Sequence, residues 1–356
     1  MTRIEIKKTI AAAGISPTAI DNTQIFSHRP ILGDVAVFEV LELGKHTRIQ
    51  AEDKTLRYIF PGDYIMAAFG PRYASAQFEG YIPATPPEVY HILGQGGAIG
   101  VLASSHQLFE AVGPTSLRMV GYCTDAEGNV INSRYHRNAA QPQVTFPSAH
   151  PMRTILSIGS SMDSGKTTSA AYLASGLKKA GHTVAFIKIT GTIYTKDADF
   201  VLDKGAHLSL DFSYFGYPST YMVGLEELLS LYQNLRAKAA TIHPDYIIVE
   251  IADGLIQQET AALLQSDFFR QSIDYVLFSC ADSLGVIGGL AILESYGIRP
   301  FAISGLLTAS PLMIEEVRKS VSLPVCKLSD LDDRAIARFF EPVAENHFIL
   351  SEPQAI

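Results

Sequence analysis

Thr154-Ile-Leu-Ser-Ile-Gly-Ser-Ser-Met-Asp-Ser-Gly-Lys-Thr-Thr168 is the stretch that decides the fold of this chain. An apolar run ends at Ile158, a loop of small residues follows, and a helical pattern of alanine and leucine runs from Ala170 to Leu177. A strand, a glycine-rich loop and a helix in this order are typical of a phosphate-binding loop. In such a loop, backbone N–H groups and the positive end of the helix face phosphate oxygens.

The ten residues of this loop that we expect to contact the nucleotide phosphates are Gly159, Ser160, Ser161, Met162, Asp163, Ser164, Gly165, Lys166, Thr167 and Thr168. The Lys166 ammonium can reach the β- and γ-phosphates, and the Thr167 hydroxyl can hold Mg²⁺. The loop reads G-x5-G-K-T, because the usual first-glycine position is Ser160 and the glycine lies one residue earlier. A chance Gly-Lys-Thr at a helix start is the alternative, which the flanking strand and helix patterns disfavour.

Composition limits the class of protein. The chain has 356 residues, which suggests two domains, and it is 47% hydrophobic and 18% charged, which indicates folded cores. A net charge of -8 argues against a general nucleic-acid binder. Three scattered cysteines show neither metal-ligand spacing nor a disulfide framework, which favours a reduced, cytoplasmic setting. We expect no signal peptide and no membrane partner, because no long apolar run is present.

The first part of the chain predicts a β-rich domain at 1–145, followed by a linker at 146–152. A short helix is expected from Ile4 to Ala13, and after it many short strands are separated by Gly/Pro turns. This pattern is typical of a small barrel or sandwich. A hairpin is expected in which 117–122 and 130–134 flank the turn Asp125–Asn129. Solvated surface is favoured over ligand contact for a group of polar residues in this part: Arg72, Tyr73, His91, His106, Arg134, His136 and Arg137.

The second part, 153–356, shows alternating strand and helix patterns. Strands are expected at 154–158, 183–188, 245–250, 274–279, 299–304 and 324–327. Helices are expected at 165–180, 198–206, 224–241, 258–270, 286–296 and 311–320. This alternation predicts an α/β fold of the P-loop NTPase type, a mostly parallel sheet with helices on both faces. Ligands of such sheets bind at the carboxyl ends of the strands.

Charged residues follow two of these strands. Lys188 can bind a substrate anion or stabilise a transferring phosphoryl group. Asp197 or Asp199 can complete a Mg²⁺ shell, with acidic capping of a helix start as the alternative. Glu250 ends an almost wholly apolar strand, which resembles a Walker B arrangement that holds Mg²⁺ directly or through water. Lys166, Lys188 and Glu250 are therefore the predicted catalytic residues, and Thr167, Asp197 and Glu250 the predicted metal site.

With these motifs in view, 150–330 resembles the dethiobiotin synthetase and cobyrinic acid a,c-diamide synthase group of P-loop proteins. The matching features are the G-x5-G-K-T loop, Lys188 after the second strand, Asp197-Ala198 early in the next helix, and the acidic loop Glu250–Gly254. The loop and 184–188 also resemble the adaptor protein of molybdopterin-guanine dinucleotide biosynthesis. Uncharacterised P-loop proteins with a β-rich N-terminal extension are similar over the whole chain.

The resemblance implies a ligase or synthetase that binds ATP and Mg²⁺. A substrate carboxylate or carbamate would attack the γ-phosphate, and a nucleophile would capture the phosphorylated intermediate. It also implies a homodimer and a small-molecule substrate. The asparagine that these families often place near adenine is not evident in Ser304–Thr308, so GTP stays open beside ATP.

Other functions are also compatible with the sequence. The chain could be a nucleotide-dependent dimerising switch or carrier, or a small-molecule kinase. The aromatic stretch Leu210–Tyr221 could close over an organic substrate, carry a dimer contact, or be a packed loop.

Overall fold

The computed structural model describes residues 5–139 and 152–340. All but the last residue of the expected linker at 146–152 lies outside these ranges. The described strands form one mixed sheet in the first range and one parallel sheet in the second, with a separate two-stranded ribbon in the first. The domain limits at 145 and 153 stay a prediction.

The strands of the first range are β1 (Ile6–Lys8), β2 (Ala19–Asp21), β3 (Val35–Glu42), β4 (Arg48–Gln50), β5 (Leu56–Tyr58), β6 (Tyr64–Phe69), β7 (Phe78–Tyr81), β8 (Tyr90–Gly94), β9 (Ala98–Ser105) and β10 (Ser116–Thr124). The strands of the second range are β11 (Arg153–Gly159), β12 (Val184–Lys188), β13 (Leu208–Asp211), β14 (Tyr246–Glu250), β15 (Tyr275–Ser279) and β16 (Ala302–Ser304).

The mixed sheet closes on itself and makes a small barrel. Its order is β1-β6-β3-β10-β8-β9-β7, and β9 also pairs with β6, so β3, β10, β8, β9 and β6 form a ring. Alternate side chains of these strands, such as Phe38, Phe69 and Tyr90, fill the interior. The opposite faces of β3 and β6 are also buried, which explains why β3 is apolar on both sides.

Two sequence expectations for the first range are wrong. The helix expected from Ile4 to Ala13 is not present in its described part, 5–13, because β1 pairs in parallel with β6 and only Ile10–Ala12 form a 3-10 turn. The expected second hairpin strand is reduced to two isolated bridges, one between Val130 and Thr124 and one between Asn132 and Asp34. Beyond it the chain turns into helix α1 (Ser133–Ala139). At the start of the chain, pairing within the barrel outweighs the local helical pattern.

The parallel sheet has the order β13-β12-β14-β11-β15-β16. Successive residues of β11 point to opposite faces, so Ile155 belongs to one hydrophobic cluster and Leu156 to the other. Helices cover both faces, as the sequence pattern predicts. The strand β13 is an addition to that pattern, and 324–327 contributes only a bridge from Val325 to Ile303.

The helices of the second range are α2 (Lys166–Lys179), α3 (Lys196–Lys204), α4 (Leu225–Ala239), α5 (Gln258–Gln265), α6 (Asp267–Gln271), α7 (Ser283–Ser295), α8 (Pro311–Ser320) and α9 (Leu328–Leu331). The helix expected at 258–270 is split into α5 and α6 at Ser266. The extended backbone of Ser266 ends α5, and its side chain accepts the Phe269 N–H to cap α6. Among the described residues, no helix is both long and apolar enough to cross a membrane.

The barrel packs directly against the parallel-sheet half. One hydrophobic cluster contains Val37 of the barrel and Ile187 of β12. Polar bonds reinforce the contact: the Gln50 amide donates to the Thr195 hydroxyl at 2.8 Å and accepts the Thr195 N–H at 3.1 Å. The Ser133 hydroxyl donates to the Gly216 carbonyl at 2.6 Å. The barrel is therefore held over the carboxyl end of the parallel sheet.

Candidate functional site

Strand register brings the predicted catalytic residues together. β14 lies between β12 and β11, and Lys188 is the register partner of Glu250. Gly159 ends β11 on the other side of β14, so the phosphate-binding loop starts at the same sheet edge. A cleft of about 500 Å³ opens at this edge.

Close packing within the phosphate-binding loop explains the unusual position of its first glycine. A Cβ at Gly159 would clash with the Ser164 hydroxyl and lie 2.8 Å from the Lys166 Cγ. Gly165 has φ +96°, a left-handed conformation that favours glycine, and it caps α2. The G-x5-G spacing therefore follows from close packing of the loop against the end of β11.

Gly159→Ala is expected to abolish phosphate binding while the rest of the fold persists. The added methyl would push Ser164 and Lys166 out of place, and overpacking of this kind typically costs about 1–3 kcal/mol. Gly224→Ala is the control, because a Cβ there meets nothing within 4 Å and the backbone φ is -64°. Nucleotide titration of both variants checks this, and normal binding by Gly159→Ala would contradict the packing account.

Lys166 and Thr167 lie at the start of α2 as expected. The Lys166 ammonium donates to the Ser161 carbonyl at 2.8 Å and to the Asp253 carbonyl at 2.6 Å. Burial lowers the pKa of Lys166, although Glu250 and Asp253 oppose that shift. The Thr167 hydroxyl donates to Glu250 Oε1 at 3.0 Å. The helix start thus presents a buried cation and a hydroxyl beside a carboxylate.

Lys188 joins two carboxylates. Its ammonium lies 2.8 Å from Glu250 Oε1 and also contacts Asp197. Burial alone would lower the pKa of Lys188, but attraction by Glu250 and Asp197 outweighs it and raises the pKa. Burial would raise the pKa of Asp197, and Lys188 reverses this and lowers it. Lys188 and Asp197 are therefore charged at neutral pH.

Glu250 has one carboxylate oxygen that accepts no hydrogen bond. Its side chain is fully buried, and the Oε2 atom has no hydrogen-bond partner. The Ser164 hydroxyl in the loop is likewise buried without a partner. Unsatisfied buried polar atoms cost free energy, and a ligand bound at this sheet edge would satisfy these two.

The donor set suits Mg²⁺ held together with phosphates. Among the described residues, no group of three or more His, Cys, Asp or Glu could bind a metal on its own. Mg²⁺ is usually held by one or two carboxylates plus phosphate oxygens and water. Glu250, Asp197 and the Thr167 hydroxyl are the side chains that would supply the protein side of such a shell.

Of the two candidate aspartates, only Asp197 reaches this cluster. Asp199 accepts the Thr195 hydroxyl at 2.6 Å and pairs with Lys54 of the barrel at 2.6 Å. Asp199 therefore stabilises the contact between the two halves. The acidic loop after Glu250 differs from a glycine-rich one, but Gly254 is required there because a Cβ would lie 2.5 Å from the Ser160 carbonyl.

The barrel contributes residues to the cleft that the sequence does not identify. Arg72 and Tyr73, for which solvated surface was favoured, line the cleft together with Gln77. Arg72 donates to the Leu93 carbonyl and, at 2.7 Å, to Gln77 Oε1. The sequence carries one weak signal, since these residues directly follow strand β6 and the break at Gly70-Pro71. Only the packing of the barrel brings them to the phosphate-binding loop.

The aromatic stretch 210–221 is largely a packed loop. Pro218 lies under Gly70 of the barrel, and Ser213 accepts a bond from Arg137 through its carbonyl at 2.7 Å. At its end, the Tyr221 ring lies 5.5 Å from Tyr73 between centroids. This loop fixes the barrel over the cleft.

A second hollow of about 320 Å³ adjoins the other side of the phosphate-binding loop. It borders Gly165 and Thr168, and its outer wall includes Leu306, Thr308 and Lys327. The hollow is mainly apolar, which suits a flat organic ring next to the phosphates.

Comparisons with known proteins give distant structural similarities. Neither the protein-family models nor the curated proteins give a match. Among solved structures, the chain is similar to a nucleotide-binding protein in complex with ADP from Archaeoglobus fulgidus, at 15% identity over 53% of this chain and 89% of that chain, TM-score 0.36. It is also similar to signal recognition particle 54 kDa protein from Aeropyrum pernix K1 in complex with GDP, at 17% identity over 56% and 48%, TM-score 0.37.

A ParA family ATPase from Chlorobium tepidum TLS is similar at 15% identity over 53% of this chain and 93% of that chain, TM-score 0.31. The resemblance to the dethiobiotin synthetase group stays a prediction. The parallel sheet, its loop after β11 and the helices on both faces are those of the P-loop NTPase fold, preceded here by a β-barrel.

Proposed function

We propose that this protein binds a nucleoside triphosphate and Mg²⁺ at the phosphate-binding loop and phosphorylates a carboxylate or carbamate of a small-molecule substrate. The observation that carries the proposal is the buried cluster of Lys166, Thr167, Lys188, Asp197 and Glu250, with Glu250 Oε2 left without a partner. A metal ion with its water would satisfy that oxygen. ATP is the first candidate and GTP the second.

The residues of this cluster have two different roles in the proposed reaction. Lys166 and Lys188 would offset the negative charge on the transferring group, while Thr167, Asp197 and Glu250 would hold the metal. When bound, the nucleotide supplies the phosphoryl group: its bond to the bridging oxygen breaks, the diphosphate keeps the electron pair, and the acceptor oxygen forms the new bond. Catalysis of this kind depends on positioning and electrostatics rather than on a protein nucleophile.

Space for an acceptor supports an enzyme. The cleft extends from the loop to Arg72, Tyr73 and Gln77 of the barrel, so one wall is made by residues outside the P-loop fold. A nucleotide's base would occupy the apolar hollow beside Leu306 and leave this wall free. A ligase passes the phosphorylated substrate to a second nucleophile, whereas a small-molecule kinase releases it.

A dimerising switch is the second candidate, and exposed apolar residues favour pairing of subunits. Ile256, Leu284 and Leu306 are 84%, 82% and 59% exposed. Each lies close in sequence to a residue that touches the loop: Gly254 and Gly285 face Ser160, and the Leu306 N–H donates to the Ser164 carbonyl at 3.0 Å. We propose that these residues pair with a second copy of this chain in either function.

Leu284→Asp is expected to keep the chain monomeric. The exposed leucine needs no partner within its own chain, so folding is expected to persist, while a charge at the centre of an apolar interface opposes association. Size-exclusion chromatography with light scattering, with and without nucleotide, measures the effect. Phe26→Asp is the control, since Phe26 is 85% exposed on the barrel. A monomeric wild-type chain under both conditions would refute the dimer.

Hydrolysis assays separate the candidate functions. We would measure ATP and GTP turnover with and without a pool of cell metabolites. Turnover that requires a metabolite supports the enzyme, and accumulation of a phosphorylated metabolite identifies a kinase rather than a ligase. Turnover without any metabolite that coincides with dimerisation would favour the switch.

A further inference from the structure

In addition to the cleft and the apolar hollow, a cavity of about 330 Å³ lies between the barrel and the parallel-sheet half. Lys45, His46 and Arg48 of the barrel line it, and Ile193 and Tyr194 close it from the other half. Its size is that of a small-ligand pocket. Arg72 borders both this cavity and the cleft, as do Gln77, Thr192 and Tyr194.

Arg72 and Lys45 put buried positive charge beside this cavity, and the carboxylate that attracts Arg72, that of Asp253, lines the cleft rather than this cavity. Lys45 Nζ is buried and has no hydrogen-bond partner. Arg72 Nε is also buried without a partner, while the other two guanidinium nitrogens of Arg72 donate to the Leu93 carbonyl and to Gln77 Oε1. Among the described residues, neither side chain forms an ion pair with an Asp or Glu. A buried cation is costly unless an opposite charge or hydrogen bonds compensate it.

The neighbouring groups do not remove this positive charge. Burial lowers the pKa of Lys45 to about 8, which leaves it mainly protonated at neutral pH. The ammonium lies 4.0 Å from the centre of the Phe109 ring, a cation–π contact that compensates only part of the desolvation. Burial, together with Arg72 and Lys45, lowers the pKa of His46 to about 3, so this ring is neutral and adds no negative partner.

We propose that this cavity binds the acidic group of the second substrate, a small organic anion that carries a carboxylate or a phosphate, through Arg72 and Lys45. The inference rests on the proposed function, because it identifies the molecule that the nucleotide site acts on. Arg72 lies in the wall shared with the cleft, so an anion held here extends toward the phosphate-binding loop. The barrel thereby selects the substrate.

Binding of two probes tests the proposal. Malonate and inorganic phosphate are titrated into the full-length protein by calorimetry at constant ionic strength. We expect at least one of them to bind. Binding of malonate indicates a carboxylate ligand, and binding of inorganic phosphate indicates a phosphate ligand. Lys45→Met and Arg72→Met are each expected to weaken this binding about tenfold or more, as loss of a charge-assisted bond does.

The melting temperature of Lys45→Met shows whether misfolding causes any loss of anion binding. Methionine keeps the apolar stem against Phe109 and removes the unpaired charge, so we expect an unchanged or higher melting temperature without anion. Lys54→Met is the control. Lys54 lies at the same boundary between the two halves, but it is exposed and paired with Asp199. It is expected to keep anion binding.

Failure of this inference differs from failure of the proposed function. Absence of binding by both probes, or binding that Lys45→Met leaves unchanged, would overturn the inference. Binding that disappears in Lys166→Ala but survives in Lys45→Met would also overturn it, because the anion would then lie in the phosphate-binding loop. In all of these cases nucleotide binding by the wild-type protein can still support the proposed function.

Discussion

Lys166→Ala is expected to reduce nucleotide turnover by about a hundredfold or more. The Lys166 ammonium is buried at the start of α2 and bonds to two backbone carbonyls, those of Ser161 and Asp253. These weak partners can be exchanged for phosphate oxygens, which a buried cation binds more strongly. Loss of one preorganised group that stabilises transition-state charge typically costs about 10²–10³ in rate. Steady-state phosphate release measures it.

Lys178→Ala is the matched control for this variant. Lys178 is exposed in the last turn of the same helix. We expect it to retain turnover and nucleotide affinity. If both alanine variants hydrolyse nucleotide at the wild-type rate, the phosphate-binding loop is not where turnover occurs.

Glu250→Gln is expected to abolish Mg²⁺ stimulation of turnover, with a rate loss of about a hundredfold. Glutamine keeps an oxygen that can accept the Thr167 hydroxyl, and Asp197 stays as the counterion of Lys188. The fold is therefore expected to persist. The neutral side chain, however, is a much poorer ligand for Mg²⁺ than a carboxylate is.

Two measurements separate a metal defect from a binding defect in Glu250→Gln. Nucleotide affinity is measured in EDTA, where we expect the variant to resemble the wild type, and turnover is measured across a Mg²⁺ titration. Glu226→Gln, an exposed acid in the first turn of α4, is the control. Unchanged Mg²⁺ dependence in Glu250→Gln would contradict the metal role and leave Glu250 as a partner of Lys188 only.

The phosphate half of the site could be predicted from the sequence because its determinants are local. The loop lies between a buried strand and an amphipathic helix, and a parallel sheet brings the carboxyl ends of its strands to one edge. Lys188 and Glu250 are the last residues of β12 and β14, so their pairing follows from strand order. The choice between Asp197 and Asp199 needed the structure, because it depends on Lys54 of the barrel.

The barrel half could not be predicted because its determinants are distant in sequence. Arg72 and Lys45 line one cavity only because the loop after β6 and the segment before β4 pack over the parallel sheet. The same effect explains the wrong helix at the start of the chain: parallel pairing of β1 with β6 joins Ile6 to Tyr64. The register of that pairing leaves no periodic signal in the sequence.

Direct calorimetric titration of the wild-type protein with ATP and GTP in the presence of Mg²⁺ tests the central claim most directly. The account predicts saturable binding of one nucleotide per chain for at least one of the two, and loss of that binding in Lys166→Ala. If neither nucleotide binds the folded wild-type protein, the assignment of Gly159–Thr168 as a nucleotide site is wrong.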